Sequence, residues 1–354
     1  MLSFRIYRRI RPLKRDWEQL IPEDARSIYQ TYSFNEIVFR HYIRSGRNLV
    51  DRIRFGSKPV YAVAYEDGKA VCIAPLYLIN NPAKVIRILG YSTNAGYLDF
   101  IYRDRKYAAA LVRELRKRYP EHDLEFTFIP ADSPLCREGE AVKEYGNYAV
   151  RLPDYDAWWT DLSKSTKQNI RTAYNRLRTD GHTFRLALYD MNSPGLEEVI
   201  RSANDLYWRR RVDWTGNEKE YSKYNREKFP VKDVIYQSLR KKENTIMAVL
   251  KVDNRDAGFF VGLRYRHGIC IPRLAIDMEF ARYSPGIILI NEYLKSLPED
   301  EFPYTFDLCR GEEGYKTSLR GERTSTYKIR SPHAGAKQNG AADRSGASDQ
   351  DGIL

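Results

Sequence analysis

A short segment between two apolar runs carries the residues best suited to hold an anion. Residues 282–287 read Arg-Tyr-Ser-Pro-Gly-Ile and lie between a predicted strand, 269–276, and a predicted helix that begins near Gly286. The first turn of a helix offers backbone N–H groups without partners and the positive end of the helix dipole. A glycine lets a ligand approach closely, so a pyrophosphate can dock here. The alternative is that Pro285, which favours a first turn, simply starts a core helix.

Carboxylates near this segment could act as a general base, and four are candidates. Asp277 follows strand 269–276 directly, just before the anion-binding segment. A carboxylate in this position can remove a proton from an attacking acceptor. Glu279, Asp307 and Glu312 are rivals, and each of the four also suits an ordinary protein surface. No Ser-His-Asp or Cys-His arrangement is visible, which favours direct attack without a covalent enzyme intermediate.

Two predicted helices carry basic and aromatic groups that can contact a polyanion. In helix 165–179 an apolar stripe faces one side, while Lys167 and Arg171 belong to a basic opposite side. Residues 208–211 read Trp-Arg-Arg-Arg, so Trp208 and Arg211 can stack on or pair with a sugar, base or phosphate, with Trp214 close by. The alternatives are a core face with a solvated basic face, and a helix end whose arginines compensate its dipole.

The elements that position these residues recur in a similar order in both halves of the chain. Apolar runs at 60–65 and 70–78 flank Asp67-Gly68, which predicts a hairpin. Asp180-Gly181 predicts the end of a helix. The first half has further predicted helices at 16–30, about 33–44 and 106–118, and further strands at 85–89, 97–101 and 124–129. The second half has predicted helices at 165–179, 195–211, 231–241 and 286–296, and strands at 184–188, 245–252, 258–265, 269–276, 304–308 and 324–329.

This order predicts an α+β (mixed α/β) fold made of two domains, each a mostly antiparallel mixed sheet flanked by helices. The expected domains are residues 1–153 and 154–330. Residues 331–354 are rich in Gly, Ala, Ser and Asp and nearly free of large apolar side chains, so we expect a disordered tail.

The composition of the chain limits the broad class of protein to which it can belong. The chain has 354 residues, 42% of them hydrophobic, which suits two packed domains and excludes a fully disordered protein. The net charge of +12 favours anionic partners without choosing among them, and an inert basic surface is the alternative. No apolar run is long enough to span a membrane and no secretory signal is apparent, so we expect a cytoplasmic protein without an integral membrane segment. The four cysteines and five histidines form no metal-ligand pattern, and no metal is expected.

Four ordered segments resemble a known family. They are Ala70–Tyr102, with Pro75-Leu76 and then ILGYSTNAGYLDFIY, DLSKSTKQNIRTAYNRLRTDG at 161–181, ARYSPGIILINEYL at 281–294, and FDLCRGEEGYKTSL at 306–319. Together they resemble the CelD-type acetyltransferases, relatives of the FemAB peptidyltransferases within the GNAT superfamily. The resemblance spans residues 15–330 and implies tandem GNAT domains, with an acetyl-CoA or other acyl-CoA donor in the C-terminal one.

The resemblance also implies roles for individual residues. Arg282, Ser284, Gly286 and Ile287 correspond to the loop that binds the coenzyme A pyrophosphate, although Pro285 replaces its first glycine and Ile287 its last residue. Tyr315 corresponds to a tyrosine that protonates the leaving thiolate. Lys316 completes the Tyr-Lys pair of the family, where its ammonium would hold a donor phosphate or the oxyanion. The alternative is that Tyr315 packs and Lys316 is solvated.

The implied activity is transfer of an acyl group to an amine or hydroxyl, with a small molecule, a glycan or a peptidoglycan precursor as acceptor. Polysaccharide or cell-envelope biosynthesis is the expected setting. A FemAB-like aminoacyltransferase that uses charged transfer RNA is the second hypothesis, although no long heptad run predicts the coiled-coil arm common in that group. A third hypothesis is a non-catalytic glycan-binding or scaffold protein of exopolysaccharide production.

Overall fold

The computed structural model describes residues 1–21, 25–43, 56–91, 93, 95–222 and 233–333. The chain forms two compact units. Unit 1 contains Met1–Pro22, Tyr29–Tyr145 and Ser325–Leu354, and unit 2 contains Glu23–Ile28 and Gly146–Thr324. Both units combine a mixed sheet with helices, which confirms the predicted mixed α/β class. The predicted boundary between two independent domains, between residues 153 and 154, remains a prediction.

Unit 1 is built on a largely antiparallel sheet. Its strand order is β1-β2-β3-β4-β6-β13, where β13 is Glu322–Ser331 near the end of the chain. Strand β5 pairs with β3, and among these strands the β4–β6 pair is parallel. The elements are β1 (Leu2–Tyr7), α1 (Lys14–Glu18), α2 (Tyr32–Ile37), β2 (Lys58–Glu66), β3 (Lys69–Ile79), β4 (Val85–Ile88), β5 (Ile101–Tyr102), α3 (Arg105–Arg118) and β6 (Asp123–Pro130). Short 3-10 helices lie at Arg11–Leu13, Ala25–Gln30 and Pro134–Arg137, and a π-helix at Val38–Ile43.

The β2–β3 hairpin shows how the sequence dictates local structure. Asp67 and Gly68 both have positive φ, 50° and 78°, as a two-residue hairpin turn of the primed type requires. Glycine reaches this conformation without strain and aspartate tolerates it. The turn therefore fixes the antiparallel register Glu66–Lys69, and most side chains of both strands are buried.

Unit 2 has the same kind of sheet. Its order is β7-β12-β11-β10-β9-β8, and among the described strands the β11–β12 pair is parallel. Its elements are β7 (Glu140–Leu152), α4 (Tyr155–Asp161), α5 (Lys164–Thr179), β8 (Phe184–Tyr189), α6 (Leu196–Thr215), α7 (Val234–Lys241), β9 (Thr245–Val252), β10 (Arg255–Arg264), β11 (Gly268–Ile276), α8 (Pro285–Lys295), β12 (Tyr304–Arg310), α9 (Gly314–Ser318) and β13 (Glu322–Ser331). Short 3-10 helices lie at Glu218–Tyr221, Met278–Tyr283 and Glu299–Glu301. Strands β7 and β13 each contribute residues to both units.

Two sets of helices pack on the sheet of unit 2. Helix α8 packs on β9, β10 and β11 and also contacts α5, while α6 packs on β10 and β11. The apolar core beneath α8 includes Phe260, Tyr293 and Phe306, with ring centroids 5.1 to 5.9 Å apart. Aromatic contacts of this kind add to the free energy that burial of their apolar area supplies.

A buried ion pair anchors α7 to β11. The Arg273 guanidinium is fully buried and donates to both carboxylate oxygens of Asp233, at 3.0 Å each. Asp233 also caps α7 by accepting from the backbone N–H groups of Ile235 and Tyr236. Such a pair tolerates burial because two hydrogen bonds join the opposite charges, and loss of either partner would leave a buried charge.

Several elements differ from the sequence predictions. The strand predicted at 97–101 is wrong apart from Ile101, because the backbone N–H of Leu98 donates to Phe128 of β6 instead of joining a strand ladder. Helix 16–30 is replaced by α1 and the 3-10 helix Ala25–Gln30. Strands β1 and β7 and helix α4 are additional. Parts of the predicted helices at 33–44 and 231–241 lie outside the described residues.

The end of the chain also departs from expectation. Strand β13 was assigned to the second half, yet Thr326–Ser331 pairs with β6 of unit 1. Order extends beyond the predicted start of the tail at residue 331, because His333 bonds to Asp123 through its backbone N–H and its Nδ1, both at 2.8 Å. The rest of the predicted tail, residues 334–354, lies outside the described residues.

Candidate active site

The candidate active site lies where two parallel strands stop pairing with each other. Strands β11 and β12 pair over three positions, the last of which joins Cys270 to Asp307. Beyond this pair β11 runs on to Ile276 and β12 to Arg310 without further pairing between them. The strands keep their outer partners, β10 and β7. We call this region, where β11 and β12 no longer pair with each other, the cleft, because the carboxyl ends of parallel strands are where open sheets often bind ligands.

The first turn of α8 has unused polar groups beside this cleft. Ser284 adopts the left-handed conformation, with φ 50° and ψ 53°, and its carbonyl accepts from the N–H groups of Ile287 and Ile288. Pro285 has no N–H. Among the described residues, the N–H of Gly286 and the hydroxyl of Ser284 have no hydrogen-bond partner. These two donors and the helix dipole favour an anion at this end of α8.

Gly286 also packs closely against β11. A Cβ atom at this position would lie 3.3 Å from Cγ2 of Ile276 and 3.9 Å from Cδ2 of Leu274, both on β11. The glycine thus lets the first turn of α8 approach the free end of β11. Ile287 differs from its predicted role, because its N–H is engaged by Ser284 and its side chain packs against the core of unit 2.

Arg282 lies at the end of the 3-10 helix before α8, and its side chain is 64% exposed. Its guanidinium pairs with Asp180 at 2.9 Å. The side chain therefore points to solvent near the first turn of α8, where it can meet an anion, but it already has a carboxylate partner.

Tyr315 lies in α9, just beyond the end of β12. Its half-buried ring packs against the core of unit 2, and its hydroxyl makes no hydrogen bond to a described residue. Burial, with a smaller contribution from Glu313, raises the pKa of the Tyr315 phenol above its ordinary value. The phenol therefore stays protonated near neutral pH, which is the state that a proton donor requires.

The ammonium of Lys316 is occupied by the protein. Its side chain is 2% exposed, and Nζ donates to the carbonyls of Cys309, Arg310 and Gly311 at 3.3, 2.6 and 3.5 Å. Nζ also pairs with Glu313 at 3.0 Å. A lysine has three N–H donors, so none is left for a donor phosphate or an oxyanion. The contacts instead hold the end of β12 and the turn between β12 and α9, where Cys309 and Gly311 have positive φ.

Asp277 lies at the mouth of two adjoining cavities of about 260 and 590 Å³ between α6 and the ends of β9–β11. Its carboxylate caps the 3-10 helix Met278–Tyr283 by accepting from the N–H of Glu279 at 3.0 Å. It makes no ion pair with a described residue, unlike Glu279, which pairs with Arg255, and Glu312, which pairs with Arg323. Asp307 is fully buried and accepts from the N–H of Cys309. Of the four carboxylates, Asp277 thus lines both cavities and has no ion-pair partner among the described residues.

The predicted acceptor-binding residues do not form one site. Lys167 donates to the carbonyl of Thr160 at 2.7 Å, and the exposed Arg171 lies over the ring of Trp159 at 5.9 Å. Trp208 is 2% exposed, so its ring packs in the core and is not available to stack on a ligand. Arg211 lies over that ring at 5.5 Å. The side chain of Trp214 lies outside what the structure describes.

Unit 1 contains the corresponding pair of parallel strands, but its cleft is filled. Strands β4 and β6 pair over three positions, ending at Arg87 and Glu125. Beyond them, Leu98 donates to the carbonyl of Phe128 at 2.9 Å, so the segment after β4 occupies the edge of β6. The following helix, α3, is capped by the Asp104 carboxylate, which accepts from the N–H of Lys106. Both features disfavour an anionic ligand in unit 1.

Sequence reasoning missed a polar network behind the first turn of α8. Asp180, which ends α5, accepts from the Tyr283 hydroxyl at 2.7 Å, and that hydroxyl lies 3.1 Å from Nε2 of His182. Nδ1 of His182 contacts Asp253 at 2.5 Å. The sequence marked Asp180-Gly181 only as a helix end, and no local pattern shows that this end meets Tyr283.

Comparison with known proteins identifies the class of this domain. Residues 164–317 match the profile of a family described as an acetyltransferase (GNAT) domain. This part of the chain, which holds the cleft, α8 and Tyr315, is therefore similar to GNAT domains. A comparison with curated protein sequences gives no significant match.

Solved structures share the fold of nearly the whole chain. A conserved protein of unknown function from Bacteroides thetaiotaomicron aligns with a TM-score of 0.55 at 12% identity, covering 93% of this chain and 99% of that one. L-PGS from Bacillus licheniformis aligns with a TM-score of 0.52 at 13% identity, covering 93% of each chain. FemX aligns with a TM-score of 0.51 at 9% identity, covering 83% of this chain and 94% of FemX. At these identities the likeness concerns the fold alone.

Two further searches concern only the residues that the structure describes. They contain no group of three or more His, Cys, Asp or Glu side chains arranged to hold a metal ion. Within the same residues, no helix has both the length and the apolarity needed to cross a bilayer.

We predict that Lys316→Met lowers the free energy of unfolding by about 1 to 3 kcal/mol, because buried carbonyl groups lose their donor. Urea denaturation of the two proteins measures this. Lys295→Met is the matched control, since Lys295 is about half exposed and its surface pair with Glu292 contributes little. Unchanged stability of Lys316→Met would show that the lysine does not hold the turn between β12 and α9.

Proposed function

We propose that this protein is an acyltransferase that takes an acetyl or other acyl group from acyl-CoA, bound in unit 2, and passes it to an amine or hydroxyl. The observation that carries the proposal is the cleft between β11 and β12, which opens beside the unpaired N–H of Gly286. The GNAT domain match covers the same residues, and GNAT domains in general use acyl-CoA.

The donor fits the polar groups that this cleft offers. The pyrophosphate would accept from the Gly286 N–H and the Ser284 hydroxyl, with Arg282 as a cation at the exposed side. The pantetheine arm would run between β11 and β12 where these strands no longer pair with each other, and backbone groups there could bond to its two amides. The thioester would then lie toward Tyr315, at the carboxyl end of β12. The filled cleft of unit 1 argues for a single donor site.

The chemistry would be direct transfer. Asp277 would remove the proton of the acceptor as it attacks the thioester carbonyl, and the carbon–sulfur bond would break as the new bond forms. Tyr315 would give its proton to the leaving thiolate, and the proton held by Asp277 would return to Tyr315 through solvent. Lys316 would act as a positioning residue, because it fixes the turn from which α9 and Tyr315 start.

The acceptor would approach through the cavities that Asp277 lines. These cavities are rich in charged side chains, which suits a polar acceptor such as a glycan or a peptidoglycan precursor. Their charged lining residues are Arg185, Glu198, Arg209, Arg210, Asp213, Lys251, Arg255, Asp256, Asp277 and Glu279. A place in polysaccharide or cell-envelope biosynthesis, as in the CelD-type proteins, is part of the proposal.

Aminoacyl transfer from transfer RNA is the second candidate. The observation that favours it is the exposed basic side of α5, which includes Lys164, Arg171 and Arg178 and can contact a phosphate backbone. This candidate predicts strongly salt-dependent binding of transfer RNA, whereas the first predicts binding of acetyl-CoA.

We predict that acetyl-CoA binds the protein with one-to-one stoichiometry. Isothermal titration calorimetry measures the affinity, which should fall several-fold in Arg282→Gln, because an exposed arginine–phosphate contact is lost. Arg171→Gln is the matched control, since Arg171 is also exposed but lies on α5 away from the first turn of α8. Absence of acetyl-CoA binding to the folded protein would reject the proposed function.

Tyr315→Phe should lower the rate of acyl transfer by about 10² to 10⁴, the usual contribution of a general acid, with little change in acetyl-CoA affinity. Thiol release from acetyl-CoA measures the rate, with slow hydrolysis as the assay until an acceptor is found. Burial holds the pKa of Tyr315 above its ordinary value. Deprotonation of this phenol should therefore not lower the rate between pH 7 and about 10.

Tyr327→Phe, in β13 of unit 1, is the control for loss of a phenol hydroxyl elsewhere. A wild-type rate in Tyr315→Phe, at unchanged stability, would remove Tyr315 from the mechanism.

A further inference from the structure

The arginine assigned to a donor phosphate is held by a carboxylate of the same chain. The guanidinium of Arg282 lies 2.9 Å from Oδ2 of Asp180. The Arg282 side chain is 64% exposed and that of Asp180 is 28% exposed, so the pair lies at the surface, open to a ligand from solvent. An anion that binds Arg282 must therefore compete with Asp180.

Asp180 has an unusual position for a carboxylate. It is the C-cap residue of α5, where its N–H donates to the carbonyl of Arg176. The carboxyl end of a helix carries the negative end of the dipole, so a carboxylate there is electrostatically unfavourable. The local sequence does not explain this carboxylate, because Asn or Ser would end the helix equally well and without the repulsion.

Other contacts hold Asp180 in place without Arg282. The Tyr283 hydroxyl donates to Oδ2 of Asp180 at 2.7 Å, and Arg176 donates to the backbone carbonyl of Arg282 at 2.9 Å. These bonds tie the end of α5 to the 3-10 helix that carries Arg282. The carboxylate thus stays hydrogen-bonded when the long side chain of Arg282 swings away.

We infer that Asp180 sets the affinity of the donor site by competing with the donor phosphate for Arg282. The inference rests on the proposed function and adds to it a residue that contacts no donor. In the unliganded protein Arg282 pairs with Asp180, and on binding it exchanges the carboxylate for a phosphate oxygen. The exchange is easy because exposed ion pairs are weak. The carboxylate, still fixed by Tyr283, then repels the bound phosphate and limits how tightly the donor is held.

The decisive variant is Asp180→Asn. Asparagine keeps the size of the side chain and an oxygen that accepts from Tyr283, while it removes the charge that holds Arg282. Coenzyme A, titrated by calorimetry, should bind about three- to tenfold more tightly than to the unmodified protein, given the usual strength of one exposed charge pair and one near repulsion. The competition requires Arg282, so Asp180→Asn should give a clearly smaller gain when Arg282→Gln is also present, because only the repulsion is then relieved.

The matched control is Glu299→Gln. Glu299 is an exposed residue of the 3-10 helix Glu299–Glu301, and its loss changes the net charge by the same amount without touching Arg282. Coenzyme A affinity should stay within about twofold. Asp180→Ser serves as a second variant in case asparagine lowers the melting temperature, since it also removes the charge at the helix end.

The outcomes separate the two proposals. Failure of the unmodified, folded protein to bind coenzyme A would overturn the proposed function and this inference together. Normal binding that is equal or weaker in both Asp180 variants would overturn the inference alone. An equal gain with and without Arg282, or in Glu299→Gln, would show a general charge effect and would also overturn it.

Discussion

The parting of β11 and β12 after the Cys270–Asp307 pair is the constraint on which the site depends. Hydrogen bonds to the outer neighbours, β10 and β7, keep each strand in the sheet, so the inner edges can stay open at modest cost. Every element of the proposed site sits at this opening. Helix α8 packs its first turn on the free end of β11, and the turn fixed by Lys316 carries Tyr315 from the end of β12.

Charge at the opening is balanced by the protein itself. The unpaired N–H of Gly286 and the dipole of α8 favour an anion, while Asp180 and the carboxyl end of α5 oppose one. Arg282 lies between them and can serve either side. In the proposed function, this arrangement would combine attraction for a phosphate with a competing carboxylate, which would suit release of coenzyme A in every cycle.

The sequence predicted most of the fold because its strongest signals are local. Asp67-Gly68 can form a hairpin turn whatever surrounds it, and Asp180-Gly181 and Pro285-Gly286 mark helix ends in the same way. The failures involve distant partners. Nothing near Leu98 shows that it bonds to Phe128, and nothing near residue 331 shows that β13 pairs with β6. Hydrophobic periodicity predicts which face of a helix or strand a residue occupies. It does not show which other helix or strand packs against that face.

The residues of the candidate site show the same contrast between local signals and distant partners. Ser284, Gly286 and Asp277 were predicted from their place between a strand and a helix, and the structure puts them at the ends of β11 and α8. Lys316 was predicted to hold a ligand, but three carbonyls of the preceding turn take its donors. Trp208 was predicted to meet a ligand, but its ring is buried in a helix that packs on β10 and β11, and the local sequence does not show which strands cover it.

Hydrogen exchange of backbone amides, with and without acetyl-CoA, tests the central claim most directly. The account predicts slower exchange at Gly286 and where β11 and β12 diverge beyond the Cys270–Asp307 pair, with no change around Leu98 and the start of α3 in unit 1. Protection confined to unit 1, or no protection near Gly286 under conditions where acetyl-CoA binds, would contradict it.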